Sequence, residues 1–253
     1  MGKIIAITNQ KGGVGKTTTS VNLSACIAKL GKKVLLIDMD PQGNASSGLG
    51  IDKDNLELCI YDVLINGMTI NDVIVPTALK KLKIAPASID LAGAGVELVN
   101  LPKREHILKK ALKEVKDDYD FIFIDCPPSL DLLTLNALTA ADGVLIPIQS
   151  EFYALEGVSQ LINTVNLVKK SLNEKLEVEG VLLTMFDGRT NLSIQVADEV
   201  KKFFTTKVYK TIIPRNVRLS EAPSYGEPII IYDPKSKGAE VYMKLAKEVI
   251  KNA

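Results

Sequence analysis

The chain is predicted to form an α/β fold: a doubly wound, mostly parallel sheet with helices on both faces. Three observations predict it. Several short apolar runs are continuous rather than alternating, helix-period stretches separate them, and the first run feeds a glycine-rich turn that opens a helix. A strand covered above and below has no polar face, so it reads as an unbroken apolar run. Strands alternating with helices in this way build a parallel sheet.

Taken in order, the strand candidates are residues 4–7, 34–37, 121–124, 144–146 and 181–183. Residues 17–30, 106–115 and 156–172 carry the helical period. The last segment, 239–250, sets Val241, Leu245, Val249 and Ile250 on one face, as a helix docked on a core does. Tyr153 and the four residues after it read as the entry to a helix near a dimer face. No repeat, low-complexity tract or linker-like stretch interrupts the pattern, so residues 1–253 are expected to form one domain.

At 253 residues the chain can bury a sizeable core. Its 46% hydrophobic and 24% charged residues are ordinary for a globular protein and exclude disorder and fibrous repeats. Three cysteines (Cys26, Cys59 and Cys126) are too few and too scattered for a disulfide framework or a zinc site. The single histidine, His106, reads as an exposed helix-start residue and argues against a histidine metal centre. The chain opens MGKIIAITN, with no signal-type apolar segment, and nowhere reaches about 18 uninterrupted apolar residues. A reduced, cytoplasmic location is expected.

The strongest local signal runs from Gln10 to Thr18, QKGGVGKTT. It follows the first strand and opens a helix, the context a phosphate loop needs. Gly12, Gly13 and Gly15 let the backbone approach an anion, and with Val14 they present N–H groups at a positive helix end. Lys16 is placed to reach the β- and γ-phosphates of a nucleotide, the Thr17 hydroxyl to ligate Mg²⁺, and Thr18 to reach an α-phosphate oxygen. Gln10 stands where the ordinary GxxxxGK[ST] pattern has its first glycine, and Lys11 follows it as a second lysine in the loop. A lysine there lies on the rim of the phosphate cup. From one subunit it can cross an interface to the nucleotide of another, which would give ATP a reason to drive dimerisation.

Two strand ends carry acids. The run from Phe121 ends at Asp125, at the sheet edge where open α/β folds place ligands. Asp125 is expected to hold Mg²⁺ through water. Cys126-Pro127-Pro128 then breaks the strand into a loop able to sense the γ-phosphate. The second strand ends at Asp38, and Asp40 begins the turn-rich loop Asp40-Pro41-Gln42-Gly43-Asn44. Asp40 is assigned to the metal's outer shell and to orienting the attacking water; the alternative of an ordinary strand-end aspartate applies to Asp38 more than to Asp40. No histidine and no glutamine of the Ras kind is evident for activating water, so slow hydrolysis is expected.

Together these residues resemble the deviant Walker A ATPases of the ParA/MinD class: KGGVGKTT, the Asp40 loop and IDCPPS occur in order at the family's spacing. The late segment Ile213 to Pro223, IPRNVRLSEAP, is similar to that of chromosomal ParA proteins of the Soj type. The resemblance covers residues 3–249. It implies a P-loop ATPase that pairs into a sandwich homodimer on binding ATP and Mg²⁺, and binds double-stranded DNA without sequence preference. It also implies a ParB/Spo0J-like partner that stimulates a weak intrinsic activity, chromosome segregation on the nucleoid, and an influence on replication initiation. By the same resemblance Pro214 and Asn216 contact the adenine, and Arg189 and Arg218 contact DNA.

The net charge of +1 offers no polyanion partner by itself, but it is unevenly spread. Residues 180–253 hold 12 Lys/Arg against 8 Asp/Glu, while residues 1–179 hold 19 against 22. Of four arginines, Arg189, Arg215 and Arg218 fall in the later segment, in or beside loops, where they can fork onto phosphates. Dimerisation would double that patch. The relatives within the class are separable by absences. A membrane-positioning ATPase would end in an extra basic amphipathic helix, whereas the last helix here stops at Lys251-Asn252-Ala253 with its apolar face committed to the core. A cluster-bearing iron protein would need interface cysteines, and Cys126 lies inside the second acidic motif. A small-substrate ATPase would need a second catalytic constellation, and none is evident.

Overall fold

The computed structural model describes residues 2–151 and 154–253, with side chains excluded at 154–157. Tyr153 therefore lies outside the described residues. Seven strands form one sheet: β1 (Lys3–Ile7), β2 (Val34–Asp38), β3 (Val75–Pro76), β4 (Leu82–Ala85), β5 (Phe121–Asp125), β6 (Gly143–Gln149) and β7 (Glu177–Thr184). Their spatial order is β3-β4-β2-β5-β1-β6-β7. All neighbours are parallel except the two-residue edge strand β3, which runs antiparallel to β4.

The helices are α1 (Lys16–Lys29), α2 (Asn44–Gly48), α3 (Ile60–Leu64), α4 (Ile70–Val73), α5 (Leu91–Glu97), α6 (Ile107–Leu112), α7 (Leu132–Ala140), α8 (Ala154–Ser171), α9 (Asn191–Phe204), α10 (Val217–Glu221), α11 (Ile229–Tyr232) and α12 (Lys237–Asn252). The continuous apolar runs divide by the strand's period of two. Ile4, Ala6, Leu35, Ile37, Ile122 and Ile124 face a layer that includes Leu91, Leu108, Leu133, Leu161 and Val196. Ile5, Ile7, Leu36 and Phe123 face the opposite layer, built on Leu23 of α1 and Tyr242 and Leu245 of α12. Two cores on opposite faces explain why the strands show no polar side.

The five expected strands form, with β6 and β7 longer than their apolar runs. The final helix begins at Lys237, where the Ser236 side chain accepts from the Ala239 N–H. Val241, Leu245 and Val249 are buried and Ile250 packs partly against the same core. The helix expected over 106–115 is shorter: α6 spans Ile107–Leu112 between single 3₁₀ turns. His106 does start that helix, but it is half-buried, with its Nδ1 enclosed. β3 and β4 have no counterpart in the apolar-run reading, because β4 is four residues long with a lysine on its exposed face.

Candidate functional site

Parallel register brings the ends of three strands side by side. Ile7 lies opposite Asp125, and Asp38 lies opposite Asp125 from the other side. The residues that follow β1 and β2, and the side chain that ends β5, therefore meet at the C-terminal edge of the sheet.

The loop after β1 is fastened on two neighbouring strands. The Asn9 amide donates to the Pro147 carbonyl at 2.7 Å, and its oxygen accepts from the Lys11 N–H at 3.0 Å. The Thr184 hydroxyl donates to the Val14 carbonyl at 2.8 Å. Gly15, immediately before α1, has φ +85°, and Gly13 has φ +73°, in the left-handed region where a side chain is strained. A Cβ on Gly12 or Gly13 would stand in open space above the loop. The first turn of α1 has no side-chain cap and no acid, so its N–H groups and positive end are free to meet an anion.

Lys16 is buried, and its ammonium turns back to the Lys11 carbonyl at 3.1 Å. Burial lowers its pKa, and the nearby Asp125, Cys126 and Asp40 pull the other way. Thr17 Oγ1 donates to Asp125 Oδ2 at 2.8 Å, and Ser20 Oγ donates to Asp125 Oδ1 at 2.7 Å. Asp125 and Asp38 are both fully buried, and burial followed by the charge of the neighbouring acid pushes the Asp125 carboxyl well above the ordinary range. Asp38 is raised mainly by burial too, against the bonds it accepts.

Asp38 and Asp40 do different things. Asp38 Oδ2 accepts from both the N–H and the hydroxyl of Ser46 at 2.8 Å, and Oδ1 accepts from the Asp40 N–H at 3.2 Å. Ser46 Oγ in turn accepts from the Ala87 N–H at 3.1 Å. Asp38 is thus a strut that pins α2 and the end of β4, which is the ordinary strand-end reading. Asp40 is 8% exposed, and its carboxylate accepts from the Gln42 N–H at 3.0 Å inside the turn that leads to α2.

Segment 208–216 lies along the outer edge of β7, bridged at Val181–Val208 and Phe186–Pro214. It places Pro214 and Asn216 in a cavity of about 410 Å³ shared with Gly15, Thr18 and Tyr242. The Asn216 oxygen also caps α10, accepting from the Leu219 N–H at 3.4 Å. The phosphate loop and the late segment, some 200 residues apart in the chain, share one cavity.

Arg189 and Arg218 lie outside that cavity's lining. Arg189, on the loop after β7, forks onto Asp187 at 2.9 and 2.7 Å; these bonds hold the Asp187 carboxyl down at about 2. Arg218 in α10 pairs with Glu221 at 2.9 Å and Asp233 at 3.5 Å. Both arginines keep exposed side chains, 90% and 55%.

Asn9, Ser20, Ser46, Thr184 and Glu151 also shape the site, and no motif in the sequence names them. Ser20 had a usable signal: three residues after Thr17, it shares that helix face. The others meet partners from segments far away in the chain, and no local pattern marks such partners.

Among the described residues, no set of three or more His, Cys, Asp or Glu side chains could hold a metal ion alone. One buried ammonium, that of Lys16, lies near Asp125 and Asp40, and the loop amides above are open. A divalent cation that arrives with phosphates fits this donor set, because Mg²⁺ is ordinarily held by one or two protein oxygens together with phosphates and water.

Residues 2–178 match a family model described as an AAA domain. The sporulation initiation inhibitor protein Soj of Bacillus subtilis is 67% identical over 252 residues, covering 100% of both chains. The chromosome-partitioning ATPase Soj of Treponema pallidum is 54% identical, covering 99% of this chain and 98% of that protein. The chain belongs to the Soj/ParA family of chromosome-partitioning ATPases. Its fold is that of the family's wider class of P-loop ATPases. Cobyrinic acid a,c-diamide synthase from Mycobacterium smegmatis, solved with ADP and magnesium, superposes with a TM-score of 0.87 at 38% identity, covering 99% of this chain and 95% of that one. No helix among the described residues is long and apolar enough to cross a membrane.

Proposed function

We propose that residues 1–253 act as one ATPase unit that pairs on binding ATP and Mg²⁺, binds DNA without sequence preference as the dimer, and hydrolyses ATP slowly. The single observation that carries this reading is the convergence of Lys16, Thr17, Asp40 and Asp125 beneath a loop whose amides are open. In this reading Gly12, Gly13, Val14, Gly15, Lys16 and Thr18 hold the phosphates. Pro214 and Asn216 line the adenine side. Thr17 ligates Mg²⁺ directly, and Asp125 and Asp40 act through water. Bound Mg²⁺ would supply charge neutralisation at the β- and γ-phosphates.

The chain's own residues do the rest. Lys16 must leave the Lys11 carbonyl for a phosphate, an exchange of a neutral acceptor for a charged one that strengthens the bond. Asp40 orients the attacking water from a turn that can move while Asp38 stays anchored. Lys11, half-exposed on the rim, reaches the partner's nucleotide and neutralises charge there, so catalysis needs the dimer. With no strong base at hand, turnover is slow until a ParB/Spo0J-like partner acts.

Arg189 and Arg218 contact phosphates of double-stranded DNA, releasing counterions without reading bases. Both are ion-paired to acids in the free chain, so DNA must outcompete Asp187, Glu221 and Asp233. Two copies presenting both arginines make that exchange favourable where one does not. The expected location is the cytoplasm, on the nucleoid, with chromosome segregation as the output and an influence on replication initiation.

The test is ATP turnover with DNA, with a peptide from the ParB/Spo0J-like partner, with both and with neither. Stimulation that is greatest with both supports the reading. Turnover indifferent to both would favour a small-substrate ATPase instead.

A further inference from the structure

One carboxylate at the end of β6 is shared by two cations from different parts of the site. Glu151 Oε2 lies 3.5 Å from Lys11 Nζ, and its Oε1 lies 3.3 Å from Arg215 Nη2. The Gln149 amide donates to the same Oε1. The backbone there is fixed: the Glu151 N–H donates to the Gln149 carbonyl at 2.8 Å, and the Ser193 hydroxyl to the Ser150 carbonyl at 3.3 Å. Lys11 is held from behind as well, since its N–H donates to Asn9, which is bonded to Pro147 two residues before Gln149. The glutamate therefore ties the rim of the phosphate loop to the segment that carries Pro214 and Asn216.

We propose that Glu151 is a positioning residue that parks Lys11 over its own subunit's loop, and so sets the nucleotide concentration at which two copies pair. The inference rests on the reading of Lys11 as a residue that acts across the interface. An ammonium bound to Glu151 of its own chain cannot at the same time reach the phosphates of another. Pairing then requires one such contact to open in each subunit. Arg215 sets how tightly the carboxylate holds: it draws on the same negative charge, so its presence weakens the grip on Lys11.

The magnitude is modest, which suits a threshold rather than a lock. Lys11 and Glu151 have side chains 39% and 44% exposed, and Arg215 is 60% exposed. An exposed pair of this kind is worth about a two- to fivefold shift in an equilibrium at each site. The exchange also loses little when phosphate replaces carboxylate, since Lys11 moves from one anion to another of higher charge.

The experiment is sedimentation velocity of the full chain with Mg²⁺ and increasing ATPγS, for wild type, Glu151→Gln and Arg215→Gln, with ADP affinity measured on each as a check of the folded monomer. Glu151→Gln is expected to pair at several-fold lower ATPγS with ADP affinity unchanged. Arg215→Gln is expected to shift the threshold the other way, because Lys11 is then the sole cation on the carboxylate. A Glu151→Gln threshold equal to or above wild type overturns the proposal. If Glu151→Gln does not fold, an Arg215→Gln threshold equal to or below wild type overturns it. Lys11→Ala, run alongside, separates this proposal from the reading beneath it. Normal pairing of Lys11→Ala removes the trans role itself. Loss of pairing there, with Glu151→Gln unchanged, removes only the parking role.

Discussion

Thr17 Oγ1 and Asp125 Oδ2 are 2.8 Å apart, joining the first turn of α1 to the end of β5 across 108 residues of chain. The same carboxylate takes a second hydroxyl from Ser20 at 2.7 Å, so α1 grips the sheet edge through two side chains one turn apart. Neither bond brings positive charge, and the carboxylate stays buried with its pKa raised. That makes the buried carboxylate costly even with the Lys16 ammonium nearby and gives the first prediction.

Without Mg²⁺ and nucleotide, folding stability should fall as pH rises from about 4, the ordinary Asp value, into the neutral range. Raised pKa values for Asp125 and Asp38 mean that the folded chain keeps protons the unfolded chain has released, so unfolding loses protons and alkali favours it. Asp125→Asn should therefore raise the apo melting temperature near pH 8 by about 2–4 °C, the effect of about 1 kcal/mol in a chain of this size. It should also abolish the added protection from Mg²⁺ with ADP. Calorimetry in a chelator, then in Mg²⁺ and ADP, reads both.

Ser46→Ala should loosen the Asp40 turn. The hydroxyl links Asp38 to the Ala87 N–H, and its loss leaves one lone pair of a buried carboxylate and one buried N–H without a partner. The expected cost is about 1–3 kcal/mol in urea unfolding. Faster amide exchange should be confined to residues 38–50 and 85–87. Nucleotide affinity should change less than turnover, because the phosphate loop is fastened separately by Asn9 and Thr184.

Gly180→Ala should destabilise the β7 edge. A Cβ there would run into the Tyr209 ring, which is buried in the same core as Leu182 and Leu245 and cannot yield freely. Overpacking of this kind costs about 1–3 kcal/mol. Chemical denaturation measures it, and Gly180→Ala,Tyr209→Leu should recover part of the loss.

Arg189→Ala and Arg218→Ala should each weaken DNA binding by the ATP-loaded chain about equally for any sequence. Each should lower the magnitude of the log–log salt slope by about 1 per DNA-facing arginine. Their partners should act in the opposite direction: Asp187→Asn frees Arg189 and should tighten binding. Fluorescence anisotropy over a salt series distinguishes the two.

Much of this was legible in the amino-acid order. Five strands, the glycine-rich turn that opens α1 and the acid that ends β5 could be read because their signals are local: an apolar run, a glycine spacing, a charge at the end of an apolar run. The edge strands β3 and β4 could not, since a strand of two to four residues with Lys83 exposed carries no period long enough to read. The same limit applies to the site. Lys16 and Thr17 sit in one motif, but Glu151 meets Lys11 only because β6 lies beside β1, and nothing near residue 151 in the sequence announces that neighbour. Asp38 and Asp40 could be told apart in the sequence only by place, one closing the strand and one opening the turn; the Ser46 contacts are what make the first a strut.

In the proposed function, ATP joins two copies through Lys11. That role is tested most directly by light-scattering mass of Asp40→Ala and of Lys11→Ala,Asp40→Ala, each with ATP and Mg²⁺ and each shown to bind nucleotide. A dimer is expected for Asp40→Ala and a monomer for the double variant. A double variant that forms the dimer as readily as Asp40→Ala would contradict it.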